Sequence, residues 1–364
     1  MEQFGVLVNI LALLAMLTPI VFIHEFGHYY VARKNNVAVD VFSVGFGPEL
    51  YHWIDKHGTR WRIAALPLGG YVKMRGDANA ASMMSESSRA IKGSFASASL
   101  GARMAIVAAG PATNFITGIV LFAFIYMAVG KVVMAPVVGQ VAPESPAATA
   151  GLQAGDLITQ VNGNAIGDFS GLKGIVSENP NKELLFTIDR DGQSLFLPVI
   201  PEEKCSEDLR LTYGFLGVHS VQGELRQLGF AQSIGQGFSD TITFSQAMLR
   251  GIGRMVTGTM NRGEIGGPVK IAQISGDAAR AGWVPFVFLA AIISLNLGLV
   301  NLLPIPALDG GHLMLFAVEG VMRRPLSDRV QSALLRGGSA FLMSGMLLLI
   351  LYDSYSSLMP TFCP

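Results

Sequence analysis

Phe4 to Ile23 is a run of twenty residues without a single charge. A helix of that length matches a hydrocarbon core about 30 Å thick. Such a run leaves a chain few ways to fold, because in hydrocarbon every backbone N–H and C=O must be paired within the protein. The segment is therefore expected to be a helix crossing a membrane. Met104 to Val129 and Val284 to Leu303 share its character, as does Phe341 to Tyr352, which reaches full length only by continuing through uncharged residues to Leu358. Four spans are expected. Composition agrees, with 51% hydrophobic and only 14% charged residues, against about 25% charged in soluble domains. Lys plus Arg and Asp plus Glu stand at 26 each, which leaves no basic surface for nucleic acid. The expected surroundings are the lipid bilayer, and no nucleic-acid partner is expected. Cys205 and Cys363 could pair with each other, but they are too few for a disulfide framework and fit no metal spacing.

The first span has Glu2 where a signal peptide has basic residues, and it runs directly into His24-Glu25-Phe26-Gly27-His28. It is expected to be retained. The loop from Arg33 to Arg103 holds ten Lys and Arg, and Arg323, Arg324, Arg329 and Arg336 follow the third span. Both loops are therefore expected on the cytoplasmic side, with both termini and the segment Lys131 to Arg280 opposite.

That segment departs from the membrane pattern. From Val137 to about Pro201, short alternating apolar runs are separated by turn signals such as Asn162-Gly163 and Asp191-Gly192, which predicts a small β-rich domain. Within it, the stretch Ser145 to Gly163, with its Gly-Leu-x-x-Gly-Asp core, resembles the signature of PDZ domains in bacterial envelope proteases. Beyond it, Phe230, Ile234, Phe238 and Ile242 recur at near-helical spacing, predicting a helix lying on the membrane surface or on the bundle. The Ser- and Ala-rich piece from Arg75 to Arg103 has no clear period and is expected to be a loop.

The chemistry is concentrated where the spans end. His24 and His28 are four residues apart, so on a helix both imidazoles share one face and can hold one Zn²⁺, with Glu25 beside them as general base. An ionisable residue within a span costs about 2.5–3.5 kcal/mol on insertion scales. Three within five positions point to metal coordination, which would offset the burial of the histidines. A catalytic zinc takes three protein ligands and keeps one position open. The candidate third is Asp309, the one carboxylate in the run Asn301 to His312, with an aspartate capping a following helix as the lesser alternative. Pro304 and Pro306 interrupt the span just before it. At membrane depth that is tolerated only where the backbone lines a cavity or packs on protein, so the break is a candidate substrate slot. With the amino terminus outside, the first and third spans both end at the cytoplasmic face, bringing His24, His28 and Asp309 to one depth.

Taken together, His24 to His28, Pro67-Leu-Gly-Gly-Tyr-Val-Lys-Met74, Gly110-Pro-Ala-Thr-Asn114, the PDZ-like insert and Asn296 to Gly311 resemble the site-2 proteases, in the bacterial branch typified by the regulator of sigma-E protease. The resemblance implies one Zn²⁺ on His24, His28 and Asp309, with Glu25 activating water. It implies Asn296 and Asn301 as substrate-positioning groups, beside the slot at Pro304 and Pro306, and Asn114 as a polar contact near the scissile bond. It also implies a membrane-associated β-hairpin on the cytoplasmic side, with Arg60 to Leu66 paired to Tyr71 to Met74 around a turn at Pro67 to Gly70. The Gly70-Tyr71 edge of that hairpin would bind an unwound substrate. The implied substrates are single-span membrane proteins, such as anti-sigma factors or signal-peptide-like segments, with peptide carboxyl termini as possible ligands of the PDZ-like domain.

The expected fold is thus a polytopic α-helical membrane protein with a membrane-associated hairpin and an inserted α+β domain, sited in a bacterial inner membrane. Residues 1–130 form the first membrane half, 131–204 the PDZ-like domain, 205–283 a following segment with amphipathic helices and 284–364 the second membrane half. Relatives with two tandem PDZ domains differ from this chain, where one signature is followed by an isolated strand-like run at Tyr213 to His219. A membrane-tethered PDZ scaffold without catalysis is the alternative, opposed by the complete ligand set and Glu25. A metal transporter would place its ligands at the centre of several spans.

Overall fold

The computed structural model describes residues 2–76, 90–206, 211–221, 223–257, 266–324 and 326–358. Its elements run α1 (Glu2–Lys34), β1 (Val39–Ile54), β2 (Arg60–Met74), α2 (Leu100–Ala128), β3 (Lys131–Val133), β4 (Val138–Val141), α3 (Pro146–Thr149), β5 (Leu157–Val161), β6 (Asn164–Ala165), α4 (Phe169–Ser177), β7 (Leu184–Arg190) and β8 (Gln193–Val199). There follow β9 (Glu202–Ser206), β10 (Leu211–Phe215), β11 (Val218–Ser220), β12 (Glu224–Arg226), α5 (Phe230–Thr257), α6 (Pro268–Ala281), α7 (Trp283–Asn301), α8 (Asp309–Met322) and α9 (Asp328–Leu358). They form two compact units, one from Met1–Ile125, Phe230–Gly253 and Gly266–Tyr355, the other chiefly from Tyr126–Gly229.

In the helical unit, Gly5–Lys34, Leu100–Ala128, Trp283–Asn301 and Arg329–Tyr352 are the four described helices long and apolar enough to cross a membrane. Each extends or shifts the run read from sequence, because a helix continues past its apolar stretch until a turn stops it. α1 reaches Lys34, so His24 to His28 continue the helix of the apolar run, as their four-residue spacing requires. The helices approach closely where side chains are small. A Cβ on Gly27 would sit 2.6 Å from both the Ala109 carbonyl oxygen and Thr113 Oγ1, so α1 and α2 meet nearly backbone to backbone. Arg103 of α2 donates two hydrogen bonds to Glu319 of α8, at 2.7 and 3.0 Å, anchoring the helix that Asp309 begins. α5 buries Ser233 and Thr241 while Phe230 and Phe238 face outward, and it is not among the four spans.

The hairpin differs from expectation. β2 runs continuously from Arg60 to Met74, through Pro67 to Gly70, and its partner is β1, Val39 to Ile54. The first half of β1 lies between two parts of β2, Val44 facing both Gly70 and Ile63, while Glu49 to Ile54 pairs with Arg60 to Ala64. The reversal falls at residues 55–59, because Asp55 can satisfy it. Its carboxylate accepts from the amides of His57 and Thr59, from Trp61 Nε1 and from the Tyr29 hydroxyl, at 2.8–3.0 Å. Thr18 Oγ1 donates to the Pro67 carbonyl at 3.0 Å, fixing β2 to α1. Of the Arg75 to Arg103 piece, residues 77–89 lie outside the described residues. The part from 91 to 99 is irregular but not exposed throughout, with Phe95 buried against α8 at Phe316.

The second unit has a four-stranded antiparallel sheet in the order β6-β5-β7-β8 and the smaller pairs β4-β11, β9-β10 and β3-β12. Its core is Val138, Ile158, Val161, Leu172, Phe186, Ile188 and Leu216. Because β9 to β12 pair within this unit, residues 205–226 belong with the β-rich fold rather than with the helices after it. Asp168 starts α4 by accepting from the Gly171 amide at 2.8 Å. Cys205 lies in β9, and Cys363 lies outside the described residues.

Candidate metal centre

His24 and His28 stand one turn apart on α1, both buried. Their Nε2 atoms are 3.2 Å apart, and Asp309 Oδ2 lies 3.2 Å from the first and 3.4 Å from the second. Three donors bonded at about 2.0–2.1 Å to one tetrahedral ion stand about 3.3 Å from each other. Asp309 Oδ2 is buried, and no hydrogen bond of adequate geometry reaches it. Two imidazole nitrogens and an otherwise unsatisfied carboxylate oxygen converging at this spacing fit a zinc ion. They are the one such group among the described residues.

Local structure explains the convergence. Gly110 of α2 faces the two imidazoles, and a Cβ there would collide with His28 Nε2 and come within 2.8 Å of His24 Cε1. His28 Nδ1 contacts the Ile106 carbonyl at 2.9 Å. A carbonyl only accepts, so Nδ1 carries the proton and Nε2 keeps its lone pair for a metal. Asp309 arrives by a different device. α7 ends at Asn301, the chain turns through Pro304 and Pro306, and Ala307 holds φ +95°, a conformation alanine seldom adopts. Gly310 and Gly311 then pack so tightly on the carbonyls of residues 302–305 that neither position has room for a Cβ. The cap position of α8 is Leu308, and Asp309 makes no capping hydrogen bond, so the capping alternative fails.

A cavity of roughly 280 Å³ opens beside the three ligands. His24, Glu25, His28 and Asp309 line it together with Gly70 and Tyr71 of β2, Asn301 at the end of α7, and His312. β2 passes directly over α1 here, since a Cβ on Gly70 would lie 3.3 Å from Glu25 Cγ. Asn296, Pro304 and Pro306 do not line the cavity, and Asn296 is exposed. Asn114 is fully buried and lies behind the metal ligands, with Nδ2 3.1 Å from His24 Nδ1. Sequence reasoning gave His312 no role. Its position three residues after Asp309 on α8, which puts both on one helix face, was the available signal.

The arrangement can hold a metal, set a carboxylate beside it and admit an extended chain along β2. Comparison with known proteins agrees. The model of Peptidase family M50 matches residues 12–345. A protein of Agrobacterium fabrum bearing the name "putative zinc metalloprotease" is 37% identical over 366 residues, 96% of each chain. A protein of Rhizobium meliloti with the same designation is 38% identical over 343 residues, covering 91% of this chain and 92% of its own. Metalloprotease MmpA of Caulobacter vibrioides is 33% identical over 375 residues, 94% of each. The chain therefore belongs to peptidase family M50, the site-2 protease family, and is a zinc metalloprotease with four helices able to span a membrane.

Proposed function

We propose that this metalloprotease hydrolyses peptide bonds in or beside the spanning segments of single-span membrane proteins in a bacterial inner membrane. The observation that carries the reading is the position of β2. Gly70, Tyr71 and Val72 border the same cavity as Glu25 and the three ligands, and Glu25, His24 and His28 sit on a helix long and apolar enough to cross a bilayer. A helical substrate hides its carbonyls in intrahelical bonds and must unwind before it can be cut. A strand beside the cavity gives the unwound segment a partner for its backbone.

His24, His28 and Asp309 would hold the ion. When bound, zinc supplies Lewis-acid chemistry, polarising the scissile carbonyl and acidifying water towards a pKa of about 7. Glu25 takes the proton of the attacking water and passes it to the leaving amine. Asn301 and the β2 edge orient the substrate, and Pro304 and Pro306 shape the slot by stopping α7. The Lys and Arg distribution supports a cytoplasmic position for this site, with the termini and the β-rich unit on the periplasmic side.

The β-rich unit is read as a PDZ-like domain that selects substrates already shortened on their outer side. A groove between α4 and residues 213–220, lined by Leu172, Lys173, Val176, Leu216 and Val218, suits a peptide carboxyl terminus. The test is cleavage of a tagged single-span protein, with and without its outer domain, by the purified chain in detergent, mapping the cut by mass spectrometry. Cutting within the span of the shortened form supports the proposal. Cutting confined to unfolded soluble polypeptide overturns it.

A further inference from the structure

Asn114 is polar, wholly buried and absent from the wall of the cavity. Its amide nitrogen stands 3.1 Å from His24 Nδ1. Its amide oxygen is buried with no hydrogen-bond partner. α7 holds the residue on its other side. Ser294 Oγ of α7 donates to its backbone carbonyl at 2.9 Å, and a Cβ on Gly298 of α7 would lie 3.1 Å from its Cβ, so α7 packs closely on it.

The protonation of His24 decides what this contact does. His24 Nε2 faces Asp309 and His28, so binding a metal occupies its lone pair and leaves the ring proton on Nδ1. Nδ1 is then a donor and needs an acceptor. An amide nitrogen there would set donor against donor. The two ends of an Asn amide are nearly indistinguishable in shape, so their assignment follows from the hydrogen-bond network. Turning the amide over gives Nδ1–H its acceptor, with the amide nitrogen then taking the buried place that has no hydrogen-bond partner. His28 has the same arrangement through the Ile106 carbonyl, so both imidazoles then donate to α2 and present Nε2 to one point.

We propose that Asn114 is a positioning residue for the metal: its side-chain oxygen accepts from His24 Nδ1–H and holds that imidazole with Nε2 towards Asp309 and His28. This differs from a contact with the scissile bond, since Asn114 is separated from the cavity by His24 itself. The inference rests on the zinc reading of the three ligands.

The test is the zinc dissociation constant of the full chain in detergent, measured by competition with a chromophoric chelator for the parent, Asn114→Leu and Asn114→Asp. Leu keeps the volume and removes the acceptor, whereas Asp keeps an acceptor. The expected result is about 10–100-fold weaker zinc binding in Asn114→Leu, with Asn114→Asp within a few-fold of the parent, and zinc-free forms that melt together. If Asn114→Leu binds zinc as tightly as the parent, the proposal is overturned. Equal loss in both variants with a lowered zinc-free melting temperature overturns it too, in favour of packing alone. A parent that binds no zinc would overturn the metal reading itself, an outcome distinct from either.

Discussion

In the β-rich unit, Ile158, Phe186 and Ile188 are wholly buried, and β7 alternates buried Leu184, Phe186 and Ile188 with the partners that face away. In the helical unit the sorting is reversed over much of the surface. Leu11, Ile116 and Leu348 are more than half exposed, while His24, His28, Asn114 and Ser294 are inside. Both patterns follow from one rule in two solvents. Water drives apolar side chains inward, whereas lipid tails are as apolar as leucine and let them face out, leaving the interior of the bundle to small and polar groups. In a water-soluble unit a buried histidine needs only a hydrogen-bond partner. Among membrane helices it is by default a functional candidate, and here His24, His28, Asn114 and Ser294 are linked around one point.

The largest effect is expected at Gly110. Gly110→Ala puts a methyl group where the two imidazoles meet, so stoichiometric zinc and all proteolysis should disappear. Metal analysis of the purified variant checks this, and full zinc occupancy would show that the helices have slack the structure denies. Next is the other core. Phe186→Ala should cost about 3–5 kcal/mol and expose the β-rich unit to limited proteolysis while leaving bound zinc unchanged. Zinc loss in that variant would mean the two units do not hold their structures separately.

A charge on the outward face sharpens the solvent argument. Ile116→Lys, near the middle of α2, should cost about 2.5–3.5 kcal/mol in membrane insertion, read as a fall in the inserted fraction, whereas Ile116→Leu should be silent. Insensitivity to the lysine would place that face against water. The smallest effect concerns pH. Burial alone would raise the Asp55 carboxyl, but hydrogen bonds from Trp61, Thr59, His57 and Tyr29 outweigh it and hold the group down to about 2, against an ordinary 3.8. A carboxylate depressed on folding stabilises fully above its unfolded value, and that contribution fades as pH falls from 3.8 towards 2. The unfolding midpoint of the parent should thus approach that of Asp55→Asn on going from pH 6 to pH 3. A constant gap across that range would contradict the assignment.

The four helices and the pair His24 and His28 were legible because length, apolarity and four-residue spacing are local signals. Asp309 was legible as a candidate, and only geometry separated ligand from cap. The hairpin was misread for a physical reason. Pro67, Gly69 and Gly70 look like a turn, but Gly69, at φ +157°, lets β2 pass the Phe46 ring without reversing. The actual turn at Asp55 depends on Tyr29, a residue on another element. β1 was missed because Gly45, Gly47 and Pro48 interrupt its alternation. The extent of the second unit was hidden because β11 and β12, three residues each, find their partners β4 and β3 far upstream. Asn114 carried a polar-contact reading from its motif, but only the fold puts it against His24 Nδ1.

That Glu25 moves the proton in a site whose metal it does not hold is put to the test by Glu25→Gln. The purified variant and the parent are each assayed for zinc content and for cleavage of a shortened single-span substrate. One zinc per chain is expected in both, with a rate at least about 10²-fold lower in the variant. Equal cleavage by the two proteins, or loss of zinc with loss of Glu25, would contradict it.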